Sequence, residues 1–489
     1  MEYLDLIPAT NGYGIWAVVA PLLLLLWFIV GMNRSHKYST KLPPGTFGLP
    51  IIGESLEFLN HINGDHMHDF VGKRKERYGN IFRSHIFGKP YLFVMGQKAA
   101  KMMIQGDGDQ FQVYQFHNVN KLLGRGSVIL ASGEDHKRIR HSTSDIFTPE
   151  GLRQYVLLIE GVTLQSIMSS WTVGKLLNAE EEATKYAFYI TAELVLSWKP
   201  GPLVDEFIQL SKDLMMGMLR APINLPGFSY HNSIKARQRM VSIFEQEINR
   251  REMEGGRGEK KGDILERMLD VHREGNGEKL SKLEIVDQLV TFILAGHETT
   301  VGTISFIVRY LSQRPQCLET LRAEHQEIQR SKPPNTPLTW MDVKRMVYTD
   351  KVISEALRMA TIVPWLHRKV NEDMDFEGYT IPKGWMIILD IRDTHYDPDY
   401  YSNPDVFTPE RFDQAPKPYT FLPFSGGKKI CLGKDLARLE MAIFLYHLTI
   451  NFRWEVEEVA KGIEFLGMAR PKGGVPFRVL EKKLHELNV

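Results

Sequence analysis

The chain has only two cysteines in 489 residues, Cys317 and Cys431. This excludes a disulfide framework, and free thiols favour a reducing compartment. A surplus of charge is lacking as well, because 60 Lys and Arg face 59 Asp and Glu, for a formal charge of +1. We therefore predict no nucleic-acid partner, since such proteins carry a basic surface.

Several motifs of common enzymes are also missing. The sequence has no G-x-x-x-x-G-K-[ST] phosphate loop, no G-x-S-x-G nucleophile elbow, no C-x-x-C pair and no internal repeat. His297-Glu298 opens like a zinc-protease motif, but Val301 occupies the position of the second histidine. What remains is a folded globular chain, 43% hydrophobic and 24% charged.

The first positive feature is a run of twenty uncharged residues at 13–32. At about 1.5 Å per residue it crosses a hydrocarbon layer of roughly 30 Å. Trp16 and Trp27 lie near its ends, where indole rings favour the membrane interface. A cleaved signal peptide needs a basic flank, whereas Glu2 and Asp5 are acidic. We predict a transmembrane helix.

Basic residues and prolines follow this run. Arg34, Lys37 and Lys41 place the rest of the chain in the cytosol by the positive-inside rule. The prolines within 42–50 predict a stiff connector. We expect four parts: a short luminal N-terminus at 1–12, a transmembrane helix at 13–32, a basic and Pro-rich hinge at 33–53, and a catalytic domain at 54–489.

The catalytic domain is predicted to be mainly helical with small β-sheets. Apolar residues recur at helical spacing in 318–328 and 343–359. Two hairpins are predicted, one over 81–95 around a Gly-Lys-Pro turn and one over 376–391 around Lys383-Gly384.

Cys431 lies in a glycine-rich stretch, residues 424–433, which reads FSGGKKICLG. An amphipathic helix is predicted over 434–454, so the thiol lies at a helix N-terminus, where free N–H groups favour a thiolate. Glycines let the backbone approach a flat ligand closely. These residues alone leave a haem ligand, a redox sensor, a nucleophile and a buried structural cysteine open.

The surrounding motifs resemble those of the cytochromes P-450. Residues 295–300 (AGHETT), 355–358 (EALR) and 409–412 (PERF) resemble the family's central-helix, ExxR and PERF motifs, in the family's order. The family's haem-binding pattern F-x-x-G-x-x-x-C-x-G is matched by Phe424, Gly427, Cys431 and Gly433. The resemblance covers essentially the whole chain.

This resemblance implies the cytochrome P-450 fold behind one N-terminal transmembrane helix. It implies haem b with Cys431 as the iron ligand, and insertion of one oxygen atom from O2 into a C–H bond. Because the chain has no flavin or nicotinamide motif, electrons are expected from NADPH through a separate NADPH-cytochrome reductase. The expected location is the endoplasmic reticulum membrane, single-pass, with the catalytic domain in the cytosol.

Residues 281–312 predict one long helix, opened by the capping box S-x-x-E. Within it, Gly296 and Thr299 are typical of a packing glycine and a threonine bonded to its own helix. The resemblance implies instead that Glu298 and Thr299 deliver protons during oxygen activation. His297 is expected to point away from the iron.

Haem propionates need cationic partners. The resemblance assigns this role to His136, Arg140, Arg368 and Lys429, although tryptophan is more usual at the first position and arginine at the last. Solvated surface cations are the alternative.

Glu355 and Arg358 are three residues apart on one helix and can pair. The resemblance implies that Arg411 joins them behind the haem, as structural support for the cysteine loop.

Stretches 224–230, 322–325 and 378–385 resemble the plant clan that oxidises steroids and terpenoids. That clan includes brassinosteroid oxidases, ent-kaurenoic acid oxidases, and triterpenoid and diterpenoid hydroxylases. A polycyclic isoprenoid substrate suits the predicted pocket, although each of its residues has core packing as the alternative. The predicted lining is Val113, Tyr114, Phe116, Ala295, Val363, Trp365 and Leu366.

Two rival functions remain open at this point. One is a haem-thiolate enzyme that rearranges a peroxide without a reductase. The other is a non-catalytic haem-binding protein.

Overall fold

The computed structural model describes residues 41–49, 52–62, 67–254, 262–274, 280–457, 462–465 and 467–483, together with 19–23 and 26. The predicted luminal segment, 1–12, lies outside the described residues. So does the predicted transmembrane segment, 13–32, except for residues 19–23 and 26, which are helical.

Helices make up most of the described chain, as predicted. Their bounds are α1 Ser55–Ile62, α2 Met67–Tyr78, α3 Gly96–Gln105, α4 His117–Leu123, α5 Gly133–Ser144, α6 Pro149–Ser170, α7 Ala179–Leu196, α8 Pro202–Met216, α9 Ser229–Glu254, α10 Ile264–Glu274, α11 Lys282–Ser312, α12 Pro315–Arg330, α13 Trp340–Lys344, α14 Val347–Ala360, α15 Ile391–His395 and α16 Lys434–Asn451.

The strands are short. Their bounds are β1 Ile81–Ile86, β2 Lys89–Met95, β3 Phe111–Val113, β4 Leu176–Asn178, β5 Trp365–Val370, β6 Met374–Phe376, β7 Tyr379–Ile381, β8 Met386–Asp390, β9 Phe452–Val456, β10 Ile463–Phe465, β11 Ala469–Pro471 and β12 Pro476–Lys482. The largest sheet has the order β1-β2-β8-β5-β3, with β2 and β8 parallel.

The hairpin predicted over 81–95 is confirmed, because β1 and β2 pair antiparallel across it. The hairpin predicted over 376–391 is wrong. The tight turn lies earlier, at Glu377-Gly378, where φ is +49° and +84°, and it joins β6 to β7. Two successive positive φ values suit a two-residue hairpin. All five residues of β8 are buried, so this strand enters the large sheet instead.

Helix α11 is the central element of the core. The predicted capping box is present, since Ser281 accepts from the Glu284 N–H and Glu284 accepts from the Ser281 N–H. Among the described helices it is the one whose length and composition would allow a membrane crossing. However, 78% of its most apolar window is buried inside the protein, which identifies it as a core helix.

Two predicted helices differ in their bounds. The helix predicted over 343–359 is divided into α13 and α14 by a turn in which the Val347 N–H donates to the Arg345 carbonyl at 2.9 Å. The helix predicted over 434–454 ends at Asn451, and the chain continues as β9, which pairs with β12.

The last part of the Pro-rich connector is fixed to the catalytic domain. The Arg83 N–H in β1 donates to the Pro44 carbonyl at 2.8 Å, and the Thr380 N–H donates to the Lys41 carbonyl at 2.8 Å. These bonds fix the direction in which the chain enters the domain.

Candidate active site

The cysteine loop is held in a tight conformation ahead of α16. The Cys431 N–H donates to the Phe424 carbonyl at 2.9 Å. Gly427 has φ +61°, and a Cβ there would lie 2.9 Å from Ile104 in α3. Both the backbone angle and the close approach therefore require glycine at this position.

The Cys431 side chain is accessible, yet surrounding protein desolvates it. This burial raises the pKa of the Cys431 thiol, although the Gly433 and Lys434 N–H groups and Arg140 act in the opposite direction. Accessibility combined with desolvation indicates a recess and not an open surface. The helix terminus alone therefore does not offset the burial of the thiol, contrary to expectation. Coordination to a metal ion would hold the thiolate, because a coordinating thiol is deprotonated.

Accessible apolar side chains also occur on α11 and just after α14. Ala295 is exposed in the middle of α11, where Leu294 and Val301 are at most 3% accessible. Val363, just after α14, is 44% exposed. Helix α11 packs against α16, which begins directly after the cysteine loop. These exposures mark apolar positions that the surrounding core does not cover.

The predicted propionate ligands come together in one cluster with an unpredicted carboxylate. Arg368 in β5 pairs with Asp107, with Nε at 3.0 Å from Oδ1. Arg140 Nη1 donates to the Ile430 carbonyl at 2.7 Å, and Lys429 donates to the Ala131 carbonyl. We define the cation cluster as His136, Arg140, Arg368, Lys429 and Asp107.

Electrostatics in the cation cluster favour an anionic ligand. Burial, then Lys429 and Arg140, lowers the pKa of His136 to about 4, so the ring is neutral at pH 7. Burial, with Arg368 and Arg140, lowers the pKa of Lys429 to about 8 against the opposing effect of Asp107. Three cations facing one carboxylate leave an excess of two positive charges.

These donors fit haem b. The recess offers a thiol for the iron, and the cation cluster offers two excess positive charges for two propionates. Cys431 would hold the iron, while Arg140, Arg368 and Lys429 would hold the propionates, with the neutral His136 as a hydrogen-bonding group.

Glu298 is buried in α11 and faces away from solvent toward β11. Its Oε2 pairs with Arg470, and its Oε1 lies 3.2 Å from His297 Nε2. Burial opposes its ionisation, yet His297, Arg470 and Lys212 hold the pKa of Glu298 below its usual range. The ring of His297 also packs on Phe188, with centroids 4.7 Å apart.

Thr299 is half-buried, and its hydroxyl donates to the Ala295 carbonyl at 3.0 Å. Consecutive helix residues point about 100° apart. Thr299 therefore lies on a different face of α11 from the Glu298 carboxylate, and the two do not contact each other in this conformation.

The ExxR and PERF residues form a buried network. Arg358 makes two contacts of 2.8 Å with Glu355, and both side chains are 0% exposed. Arg411 Nε lies 2.9 Å from Glu355. Arg358 also donates to the carbonyls of His395 and Pro404, so the network ties α14 to the chain leading into the cysteine loop.

The predicted pocket residues do not share one environment. Trp365 is 6% exposed; its ring stacks on Phe58 at 5.5 Å and its Nε1 donates to Asp390. It is a core residue, which was the alternative for each position. Phe116 packs on Phe58, Phe87 and His367.

The remaining pocket positions are more accessible. Tyr114 lies beside Tyr91 and under Lys89. Val113 in β3 and Leu366 in β5 are half-buried, and Val363 and Ala295 are exposed.

Three site residues escape sequence reasoning. Asp107 joins the cation cluster, and Arg470 pairs with Glu298. His395 accepts from the Leu422 N–H at 3.0 Å, and its Nδ1 lies 3.0 Å from the Thr361 hydroxyl. Each contacts residues distant in the chain and belongs to no motif quoted above. The turn sequence Gly-Asp-Gly-Asp at 106–109 was the one local signal.

Known proteins resemble this chain over most of its length. A family model described as Cytochrome P-450 matches residues 43–472. Abscisic acid 8'-hydroxylase 4 of Arabidopsis thaliana is 33% identical, covering 94% of this chain and 98% of that protein. The (1S)-1-hydroxy-luvungin A synthase CYP88A37 of Citrus sinensis is 33% identical, covering 91% of each.

A sterol-oxidising relative and a solved structure extend the comparison. Cholesterol 22-monohydroxylase CYP90B51 of Trigonella foenum-graecum is 31% identical, covering 90% of this chain and 92% of that protein. The retinoic acid-bound cyanobacterial CYP120A1 superposes with a TM-score of 0.81 at 29% identity, covering 90% of this chain and 99% of that one. The chain therefore belongs to the cytochrome P-450 family: it is an oxidoreductase, a haem b-dependent monooxygenase supplied with electrons by a reductase.

Proposed function

We propose that this enzyme hydroxylates a polycyclic isoprenoid, a sterol, triterpenoid or diterpenoid, at a C–H bond. The observation that carries the proposal is a set of apolar side chains on α11 and after α14 that the core does not fully cover, at Ala295, Val363 and Leu366. The names of three relatives, abscisic acid hydroxylase, cholesterol monohydroxylase and luvungin-type synthase, support this substrate class.

The bound haem supplies oxygen activation and one-electron chemistry, and the thiolate ligand donates electron density that favours O–O cleavage. The chain's residues hold and orient the reactants. Arg140, Arg368 and Lys429 neutralise the propionates, and the apolar lining orients the substrate by shape and excludes water.

Proton delivery is assigned to Glu298 and Thr299. The ionised Glu298 carboxylate accepts a proton on the Arg470 side of α11, and the Thr299 hydroxyl donates on the other side. Because the two groups lie on different faces, a side-chain rotation of Glu298 or an intervening water must connect them.

Thr299→Ala should retain haem and substrate binding but release reducing equivalents as hydrogen peroxide. The substitution removes the hydroxyl and one methyl group, and the hydroxyl's present partner is one carbonyl of its own helix. Product per NADPH consumed should fall several-fold, measured by mass spectrometry and peroxide assay. Thr303→Ala is a matched control, since Thr303 also bonds to its own helix, at the Thr299 carbonyl. Equal coupling in both variants would remove Thr299 from proton delivery.

Turnover with a reductase tests the function directly. A panel of sterols, triterpenoids and diterpenoid acids is incubated with the enzyme, reductase and NADPH, and products are detected by mass spectrometry. We expect NADPH-dependent gain of one oxygen atom. Reductase-independent conversion of a peroxide would favour the rearranging enzyme, and conversion of fatty acids or phenolics alone would contradict the substrate class.

Ala295→Leu should weaken binding of polycyclic isoprenoids by about tenfold while haem content holds. The added side chain enters the space beside the cysteine loop, where overpacking costs about 1–3 kcal/mol. Spectral binding titration measures the change. The control is Ala415→Leu, which enlarges an alanine exposed on the loop before the cysteine stretch. Equal affinity in both variants would place Ala295 outside the pocket.

We also propose that residues 13–32 anchor the enzyme in the endoplasmic reticulum membrane, with 33–53 as hinge and 54–489 in the cytosol. Support comes from the uncharged run and the basic residues that follow it. Residues 19–23 are helical, and Leu22 and Leu23 are 57% exposed. Release of the full chain from microsomes by alkaline carbonate would contradict the anchor.

A further inference from the structure

Asp107 is a buried carboxylate in the cation cluster. It is 3% exposed, and its two oxygens face Arg368, with Nε at 3.0 Å and Nη2 at 3.3 Å. A turn after α3 fixes its position, since the Gly108 N–H donates to the Phe111 carbonyl at 2.9 Å. Both charges of the pair are therefore held rigidly and away from water.

The same turn lies next to the cysteine loop. Ile104, at the end of α3, is the neighbour that a Cβ on Gly426 or Gly427 would meet. Lys428 of the loop lies 3.9 Å from Asp109. The Asp107 charge is consequently close to both the proposed propionate ligands and the loop that carries the iron ligand.

Arg368 retains donors for a propionate despite this pairing. Its guanidinium has five N–H groups. Nε and Nη2 each bond to Asp107, and Nη1 donates to the His367 carbonyl at 2.9 Å. Two N–H groups remain, in an orientation that Asp107 has set.

We propose that Asp107 is a positioning residue that orients Arg368 toward a haem propionate, and that its fixed negative charge lowers the reduction potential of the haem. The proposal rests on the proposed placement of the propionates at Arg368, Arg140 and Lys429. Asp107 itself touches no reacting atom.

The direction of the effect follows from charge balance. Reduction takes one electron from the reductase and converts ferric to ferrous iron, with no bond broken, so the site gains one negative charge. A buried carboxylate opposes that gain, and its burial keeps bulk solvent from screening it. With two propionates bound, removing the Asp107 charge leaves one positive charge of the cluster uncompensated and favours the ferrous state.

The test is a potentiometric titration of the haem-loaded full chain. Asp107→Asn should shift the equilibrium about tenfold toward the ferrous form, a rise of about 59 mV for a one-electron couple. Asp109→Asn makes the same charge change two residues away, on a side chain that is 80% exposed. Water screens that charge, so its shift should be much smaller.

Further variants test the charge effect of Asp107 and the placement of the propionates separately. Asp107→Ser introduces a second neutral side chain and should reproduce the rise in reduction potential if Asp107→Asn does not retain haem. Asp107→Glu keeps the negative charge and should keep the parental potential. No shift in either neutral variant, or an equal shift in Asp109→Asn, would overturn the proposal. Arg368→Gln tests the propionate placement: normal haem content and retention in that variant would contradict the placement, whatever potential the Asp107 variants show.

Discussion

Cys431→His is expected to abolish the thiolate-type absorption of the reduced, carbon monoxide-bound protein and with it all monooxygenase turnover. Only a thiolate ligand gives that spectrum and donates the electron density that favours O–O cleavage. Imidazole still ligates iron, so residual haem binding with a shifted spectrum is compatible with the assignment. The measurement is a difference spectrum normalised to haem content.

Cys317→Ser is the matched control, because Cys317 is the other cysteine of the chain. It is half-buried near the start of α12, and burial raises the pKa of the Cys317 thiol, with Tyr348 and Glu410 close by. No glycine-rich loop surrounds it. The spectrum should persist in this variant. Its loss there, together with survival in Cys431→His, would reverse the assignment of the ligand.

Local signals made much of the architecture predictable. The capping box at Ser281 and the long apolar run defined α11 from its first residue, because both the cap and the helix are determined by neighbours in the sequence. The Gly-Lys-Pro turn likewise located β1 and β2. The cysteine loop was recognisable from its sequence pattern, and its backbone requires glycine at Gly427, four residues before Cys431.

Long-range contacts explain which structural features the sequence did not predict. Strand β8 pairs with β2, almost three hundred residues earlier, whereas a sequence pattern favours the neighbouring strand as partner. Arg470 reaches Glu298 through the packing of β11 on α11, where a Cβ on Gly302 would lie 3.0 Å from the Ala469 carbonyl. For Trp365, apolar composition does not distinguish a cavity wall from the core, so the sequence left both interpretations open.

The ExxR network matters for stability more than its sequence spacing suggests. A helical i, i+3 ion pair on a surface contributes little, but Glu355 is 0% exposed and accepts from Arg358, Arg411 and the Thr408 N–H. Removing one partner of a buried pair leaves the remaining charge uncompensated, which costs about 3–5 kcal/mol.

Glu355→Gln should therefore lower the free energy of unfolding by about 3–5 kcal/mol and reduce haem incorporation, since two buried guanidinium groups lose their carboxylate. Thermal unfolding and haem-to-protein ratio measure the two effects. Glu206→Gln is the matched control, because Glu206 also pairs with an arginine, Arg239, at 2.7 Å, but the two side chains are 37% and 52% exposed. Water solvates the arginine that loses its partner, so the loss of stability is at most about 1 kcal/mol. If both glutamine variants unfold at the same temperature with the same haem content, Glu355 does not support the cysteine loop. If Glu355→Gln is destabilised while its haem content stays normal, the network stabilises the fold at large and acts on the loop only weakly, because a loop that depended on Arg358 and Arg411 would lose its hold on the iron first.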